Sequence, residues 1–236
     1  MPPLERLLSW QDEGTDLVEK AVATVTDAEL AQPSALPGWT RAHVVGHLAR
    51  NADALVNLLT WARTGVESPM YAAPGRREED IDATALLPPA RLRADLVAAN
   101  ARLATAVAEL PADAWRARVR SAQGRDIPAG EVPWLRVREL WLHVVDLGGR
   151  WTFADLPAEL IVALLADVTS ALDRKPTTPA LSLVATGAGE WTIGPAAPVV
   201  TVTGSPADLL GWVAGRTAGA ELTTSAGYLP TLPRWL

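Results

Sequence analysis

Two residues that commonly bind metals, Glu139 and His143, lie four positions apart in the segment VPWLRVRELWLHVVDLGG. The segment has the apolar spacing of an amphipathic helix, and residues four apart on a helix share one face, about 6 Å apart along its axis. A catalytic zinc ion takes three protein ligands and keeps one position open. The spacing therefore predicts two ligands of a metal site, although such a pair is also common on ordinary helix surfaces.

The third ligand would have to come from another helix, and histidines are scarce in this chain. Besides His143 there are only His43 and His47, four residues apart in a second predicted helix. Spacing alone leaves both open as ligands, and both could instead be hydrogen-bonded in a helical bundle. Two imidazoles and one carboxylate suit Zn²⁺, with Ni²⁺ or Fe²⁺ as alternatives. Asp146 could orient His143 through a hydrogen bond, or lie at the surface near the helix end.

Composition excludes several classes of function. The chain has 236 residues, no cysteine and a formal net charge of -6. Without cysteine there is no disulfide, cysteine zinc site or cysteine nucleophile, so thiol chemistry would need a thiol from outside the chain. The scattered basic residues argue against a nucleic-acid-binding face. Because there is no secretory signal pattern and no apolar run of roughly 18 residues, we expect a soluble, cytoplasmic protein that binds no membrane. We also expect it to bind no nucleic acid and to be a monomer.

Four long segments with helical periodicity would have to position the candidate ligands. They cover Pro3–Val25, Arg41–Arg63, Pro89–Leu110 and Glu131–Leu147. Thr40 can cap the second helix, and in the third the inward-facing residues would include Val97. These helices predict a four-helix bundle. The polar segments 64–89 and 121–133 are predicted to be loops, and the first is so long that we expect it to be either functional or disordered.

The sequence pattern changes after residue 151. A helix is predicted over Leu156–Leu172, and Ser205 with Pro206 starts another. Between them, ALSLVATG and PVVTVTG alternate like strands, with GEWTIG in between. We therefore predict an α+β protein with two domains, a helical bundle over residues 1–151 and a small α+β domain over residues 152–236.

Four stretches together resemble the mycothiol-dependent maleylpyruvate isomerase family. They are LPGWTRAHVVGHLARNADAL, PGRREEDIDA, VPWLRVRELWLHVVDLG and VTGSPADLLGWVAGRTAG. The resemblance covers nearly the whole chain, and it implies a DinB-like four-helix bundle that holds a divalent metal, followed by a small α/β domain. By motif position, the metal ligands would be His47, Glu139 and His143. His43 would be a neighbour that the family motif does not fix.

The resemblance also implies arginines that bind an anionic substrate. Arg77 in GRREEDI and Arg216 in WVAGRTAG occupy the matching positions, with Arg76 as the alternative register for the first. A guanidinium can bind a carboxylate of a dicarboxylic substrate through two parallel hydrogen bonds. The residues alone leave these roles open, because an arginine in a polar loop or at a helix C-terminus is commonly solvated.

The implied activity is the metal- and mycothiol-dependent conversion of maleylpyruvate to fumarylpyruvate. A divalent ion, expected to be Zn²⁺, would favour the thiolate of mycothiol. Addition of that thiolate to the cis double bond would permit rotation, and elimination would give the trans product, with Arg77 and Arg216 stabilising negative charge. The alternatives are a mycothiol-dependent S-transferase on the same scaffold, a non-catalytic metal- or small-molecule-binding protein, and a structural bundle with chance histidines.

Overall fold

The computed structural model describes residues 1–235 of the chain. The chain divides into two compact units, Pro2–Arg150 and the residues from Trp151 onward. The helices of the first unit are α1 (Leu4–Thr24), α2 (Asp27–Leu30), α3 (Arg41–Thr64), α4 (Arg76–Ala85), α5 (Pro89–Ala108) and α6 (Val132–Asp146). Among the described residues, no helix has the length and apolar character that crossing a membrane requires.

Helices α1, α3, α5 and α6 form the four-helix bundle predicted from the sequence. Helix α3 packs on α5 and α6, and α1 packs on α6 and α5. The apolar residues that α3 buries completely, each 0% exposed, include Val44, Val45, Leu48 and Leu55. Helical spacing places these residues on one broad face, and burying that face stabilises the bundle.

Helices α1 and α6 approach closely at a glycine. The indole Nε1 of Trp141 donates a hydrogen bond of 2.8 Å to the carbonyl of Trp10. A Cβ atom at Gly14 would lie 2.6 Å from the same nitrogen. Trp141, which follows Glu139 by two residues, is therefore a packing residue whose ring fills the space left by Gly14.

A fully buried arginine joins α6 to α3 and α5. Arg136 is 0% exposed, and its NH1 donates to the Leu48 carbonyl and to Oδ1 of Asn51, each at 2.8 Å. Its NH2 donates to Oδ1 of Asn100 at 2.6 Å. Burial lowers the pKa of Arg136 to about 10, so the guanidinium is still charged at neutral pH. The network fixes the backbone of α3 beside His47.

The prediction of a loop over residues 64–89 was wrong, because this segment contains helix α4. Only Ile81 and Thr84 of helix α4 are buried, so the helix lacks the apolar stripe from which a helix is predicted in a sequence. Helix α4 packs on α3 at Gly46, where a Cβ atom would lie 3.2 Å from the Ile81 carbonyl oxygen. Tertiary packing on α3 stabilises this polar helix.

The segment 121–133 was also predicted to be a loop, and this was wrong for part of it. Strands β1 (Arg118–Arg120) and β2 (Asp126–Pro128) pair antiparallel, with Val119 opposite Ile127. Each strand has three residues and buries only its central side chain. Strands this short do not show the alternation that identifies a strand in a sequence.

The second unit combines two helices with a sheet, as predicted for its α+β character. Its main elements are α7 (Ala158–Asp173), β3 (Leu181–Ala185), β4 (Gly189–Ile193), β5 (Val200–Gly204), α8 (Pro206–Val213) and β6 (Thr223–Thr224). The strand order is β4-β3-β5-β6; β3 pairs parallel with β5, and the other pairs are antiparallel. Ser205 caps α8 as predicted, because its Oγ accepts a hydrogen bond from the Asp208 amide at 3.1 Å.

Candidate metal centre

Three potential metal ligands from two helices converge inside the bundle. The ligand atoms of His47 on α3 and of Glu139 and His143 on α6 all lie within 4.8 Å of one another. Oε2 of Glu139 is 2.7 Å from Nε2 of His47 and 3.1 Å from Nε2 of His143. The two imidazole rings meet edge to face, with 4.7 Å between their centroids. The predicted helix spacing therefore brings the Glu139–His143 pair against an imidazole from the facing helix.

Asp146 holds the imidazole of His143 in a fixed orientation. Its Oδ2 is 2.8 Å from Nδ1 of His143, and the aspartate is 0% exposed. A carboxylate beside Nδ1 keeps a proton on that nitrogen and directs Nε2 toward Glu139. The backbone carbonyl of Asp146 also accepts a hydrogen bond from the Ala35 amide at 2.9 Å. The end of α6 is thus tied to the segment that precedes α3.

His43 lies outside this cluster because it caps the helix that carries His47. Its Nδ1 is 2.6 Å from Oγ1 of Thr40 and accepts from the Thr40 amide at 3.3 Å, which completes a capping box at the start of α3. Its Nε2 is 3.7 Å from a carboxylate oxygen of Asp82. Spacing left His43 and His47 open as ligands, and the structure places only His47 beside Glu139 and His143.

Arg77, rather than Arg76, reaches the cluster from helix α4. Its NH2 lies 3.4 Å from Nδ1 of His47. The neighbouring Arg76 points away and forms an ion pair of 2.7 Å with Asp80. Burial raises the pKa of Tyr71, a half-buried residue in the segment between α3 and α4, and the positive charge of Arg77 acts in the opposite direction. Of the two arginines between which the sequence left the register open, Arg77 is the one that lies beside His47.

Burial and hydrogen bonding divide the charges of the three side chains. Burial lowers the pKa of His47 to about 4, so its imidazole is neutral at pH 7. Burial opposes ionisation of Glu139, yet His47 and His143 together lower its pKa well below the usual range. Burial also opposes protonation of His143, but its hydrogen bonds with Asp146 and Glu139 raise its pKa overall. In the metal-free protein, the ionised carboxylate of Glu139 therefore lies between the neutral imidazole of His47 and the readily protonated imidazole of His143.

This arrangement fits a divalent cation by its donor set. Two imidazole nitrogens and a carboxylate oxygen form the ligand set of many catalytic zinc sites, with metal–ligand distances of about 2.0–2.2 Å. At those distances, two ligands of one tetrahedral ion lie about 3.4 Å apart. For comparison, Oε2 of Glu139 lies 2.7 and 3.1 Å from the imidazole nitrogens of His47 and His143. The hydrogen bond that Nδ1 of His143 donates to the Asp146 carboxylate is the usual support for a metal-bound imidazole.

Comparison with known proteins identifies the family of this chain. The family model described as the mycothiol maleylpyruvate isomerase N-terminal domain matches residues 11–148, more than half of the chain. The chain belongs to this family. Among the curated proteins, none matched.

Two solved structures of the mycothiol-dependent maleylpyruvate isomerase are similar over nearly the whole length. One crystal structure is 39% identical with a TM-score of 0.95, and it covers 99% of this chain and 98% of the other. The structure of a histidine-to-alanine mutant is 38% identical with a TM-score of 0.94 and the same coverage. The similarity therefore extends beyond the amino-terminal domain into the second unit.

Within this maleylpyruvate isomerase family member, Arg216 lies in the second unit, after helix α8. Its NH1 donates to the Ala214 carbonyl at 2.7 Å, and its backbone amide donates to the Gly211 carbonyl at 2.8 Å. The side chain is half-buried. The contacts fix where the residue sits in its own unit, and its role toward a substrate stays a prediction from the resemblance.

Sequence reasoning did not single out Tyr71 or Arg136. Tyr71 lies in the polar segment whose length suggested a function, but nothing in its neighbours marked it. Arg136 precedes Glu139 by three residues and therefore lies near the same face of α6, which was the only available signal. Its complete burial depends on acceptors from α3 and α5, so only the packed bundle reveals it.

Proposed function

We propose that this protein is a metal- and mycothiol-dependent cis-trans isomerase that converts maleylpyruvate to fumarylpyruvate. The observation that carries the proposal is the convergence of His47, Glu139 and His143 in a member of this family. The proposal is also supported by the full-length similarity to solved structures of the isomerase. Its partners would be a small unsaturated dicarboxylate and a low-molecular-weight thiol.

His47, Glu139 and His143 would hold the divalent ion, for which we propose Zn²⁺. When bound, such an ion favours the thiolate form of a ligating thiol, and mycothiol supplies that thiol for reversible addition to the conjugated double bond. The chain has no cysteine, so the thiol has to come from another molecule. The ionised Glu139 contributes the negative charge of the ligand set, and Asp146 keeps His143 aimed at the ion.

Arg77 is proposed to bind a substrate carboxylate beside the metal. Its guanidinium is half-buried, lies against His47, and is otherwise paired with Glu78 at 3.1 Å. Because Glu78 is largely exposed, an incoming carboxylate can replace it at little energetic cost. Arg216 is proposed as a second carboxylate-binding residue on the strength of the family motif.

The proposal is tested by an isomerisation assay on zinc-loaded protein. The absorbance change from maleylpyruvate to fumarylpyruvate is followed with and without mycothiol. Turnover is expected only with the thiol, and His47→Ala is expected to lose both the metal and the activity. His43→Ala serves as the matched control, because His43 lies outside the cluster and should leave metal content unchanged.

Three outcomes would contradict the proposal. Full activity without any thiol would remove the role of mycothiol. Accumulation of a stable thiol adduct, with no trans product, would instead favour the S-transferase alternative. Loss of metal from His43→Ala but not from His47→Ala would show that the ligand set is wrong.

A further inference from the structure

Three consecutive backbone carbonyls at the end of α6 accept hydrogen bonds from one short segment of the chain. The carbonyl of Asp146 accepts from the Ala35 amide at 2.9 Å. The next two accept from Arg41, whose Nε donates to the Leu147 carbonyl at 2.7 Å and whose NH2 donates to the Gly148 carbonyl at 3.2 Å. The last carbonyls of a helix have no partner within the helix, so such donors fix its end. Arg41 therefore caps the helix that carries two of the proposed metal ligands.

The segment that carries Arg41 is a closed turn. The amide and the hydroxyl of Ser34 both donate to the Trp39 carbonyl at 2.9 Å. The amide of Arg41 donates to the Gln32 carbonyl at 3.0 Å. Arg41 is also the first residue of α3, so its backbone continues directly into that helix. Its side chain therefore reaches α6 from an anchored backbone.

The two residues before Arg41 contact the other helix that provides a ligand. The ring centroid of Trp39 lies 5.5 Å from that of His47, and Thr40 caps the start of α3. Trp39 and Thr40 thus contact α3, whereas the Arg41 side chain contacts α6. Because the ligands come from both helices, their convergence depends on how α3 and α6 are held together at this end of the bundle.

The turn that Arg41 caps is also the turn that orients His143. The Leu147 amide donates to the His143 carbonyl at 3.0 Å, and Asp146, the residue between their turns, lies 2.8 Å from Nδ1 of His143 through its carboxylate. A displacement of this last turn would therefore move the imidazole and its carboxylate partner together.

We propose that Arg41 is a positioning residue of the metal centre, which holds the last turn of α6 so that His143 stays aimed at the ion. This inference rests on the metal site of the proposed function. Arg41 contacts neither the ion nor the substrate, and it acts through the carbonyls of Leu147 and Gly148. Ligands that are held in place before the ion arrives bind it more tightly, because less freedom is lost on binding.

Arg41→Met is expected to weaken zinc binding by about 10-fold. Removing a hydrogen-bond partner of a metal ligand costs about 10- to 100-fold in metal affinity, and Arg41 acts one step further away, so we expect the lower end of this range. Competition with a chromogenic chelator measures the affinity.

Arg93→Met is the matched control, because Arg93 caps the end of α1 in the same way. Its Nε and NH2 donate to the carbonyls of Val22 and Val25 at 3.4 and 2.6 Å. Both arginines are half-buried, but α1 carries none of the proposed ligands. The control is therefore expected to lower the stability of the fold and to leave zinc affinity unchanged, which separates destabilisation from positioning.

A second measurement reports the geometry of the ligands without turnover. The visible spectrum of the cobalt-substituted protein is expected to change in Arg41→Met and to match the wild type in Arg93→Met. Arg41→Lys keeps one cationic donor, so its zinc affinity should fall between those of the wild type and Arg41→Met. If Arg41→Met does not fold, Arg41→Lys is compared with Arg93→Lys.

These measurements separate the inference from the proposed activity. Equal zinc affinities and equal cobalt spectra of Arg41→Met and Arg93→Met would overturn the role of Arg41. A wild type that binds zinc without isomerising maleylpyruvate would overturn the proposed activity, while weaker zinc binding by Arg41→Met would still support positioning. A wild type that binds neither zinc nor cobalt would overturn the ligand set and this inference with it.

Discussion

Oδ2 of Asp146 lies 2.8 Å from Nδ1 of His143, and His143 precedes Asp146 by three residues on helix α6. The aspartate is completely buried, so this carboxylate is available to the imidazole and not to solvent. The pair leaves one nitrogen of His143 directed at Glu139. Its consequence for metal binding can be measured directly.

We expect Asp146→Asn to weaken zinc binding by about 10- to 100-fold, the usual effect of removing the carboxylate that hydrogen-bonds a metal-binding imidazole. The amide can no longer attract the proton on Nδ1 as strongly, so the imidazole becomes a weaker and less well oriented ligand. Competition with a chromogenic chelator measures the affinity. Asp82→Asn is the control, because its side chain is 70% exposed and lies near His43. Equal affinities of the two variants would contradict the role of Asp146.

The metal-free protein should show opposite ionisation behaviour for two of its histidines. The pKa of His47 is about 4 and that of His143 is raised above 6.5. For His47 the unfolded state binds more protons between pH 6.5 and 4, so its contribution to the free energy of unfolding is lost as pH falls through that range. For His143 the folded state binds the extra proton, so its contribution is lost as pH rises through the folded pKa.

Nitrogen-15 NMR of the three histidine side chains tests these states, with assignments from His43→Gln. The His47 resonances are expected to stay those of a neutral ring down to about pH 4. His143 should titrate above 6.5. A His47 ring that protonates near pH 6.5 would show that it is far more hydrated than its burial indicates.

Removal of the buried arginine should destabilise the bundle strongly. Arg136→Met leaves the Leu48 carbonyl and the amide oxygens of Asn51 and Asn100 without their donor. Each unsatisfied buried acceptor costs about 1–3 kcal/mol, so we expect a loss of about 3 kcal/mol or more in the free energy of unfolding. Chemical denaturation of the metal-free protein measures it.

Arg102→Met is the control for this loss, because Arg102 is half-exposed and pairs with Asp53 at the surface. Exposed ion pairs contribute at most about 1 kcal/mol. A loss from Arg136→Met no larger than that of the control would mean that water replaces the guanidinium in the core.

Gly14→Ala should separate α1 from α6. The new methyl group would lie 2.6 Å from Nε1 of Trp141, inside van der Waals contact. Overpacking of this kind costs about 1–3 kcal/mol, and the ring can move only by giving up its hydrogen bond to Trp10. Gly149→Ala is the control, since its methyl would meet no atom within 4 Å. Equal melting temperatures of the two variants would contradict this close packing.

Much of the architecture could be predicted from the sequence because it follows from local periodicity. The bundle helices, the Thr40 and Ser205 caps and the strands of the second unit all left regular patterns. Val97 was predicted to face inward, yet it is 48% exposed. The stripe of α5 runs through Leu92, Leu96 and Leu103, and a residue directly after Leu96 is rotated by about 100° from it.

The candidate site was only partly predictable, because helical spacing does not show which contacts a side chain makes. Helical spacing places Glu139 beside His143, but it cannot choose between His43 and His47, which share a face of α3. The choice depends on Thr40, whose hydroxyl contacts His43. The position of Arg77 depends on α4, a helix whose stability comes from packing and not from its own apolar pattern.

The capping role of His43 limits the ion-binding capacity of the chain. Its Nδ1 is hydrogen-bonded at the first turn of α3, and the other two imidazoles, those of His47 and His143, lie together with Glu139. A histidine count therefore overstates the number of available ligands. One ring caps α3 and two belong to the proposed metal site, so we expect a single ion per polypeptide.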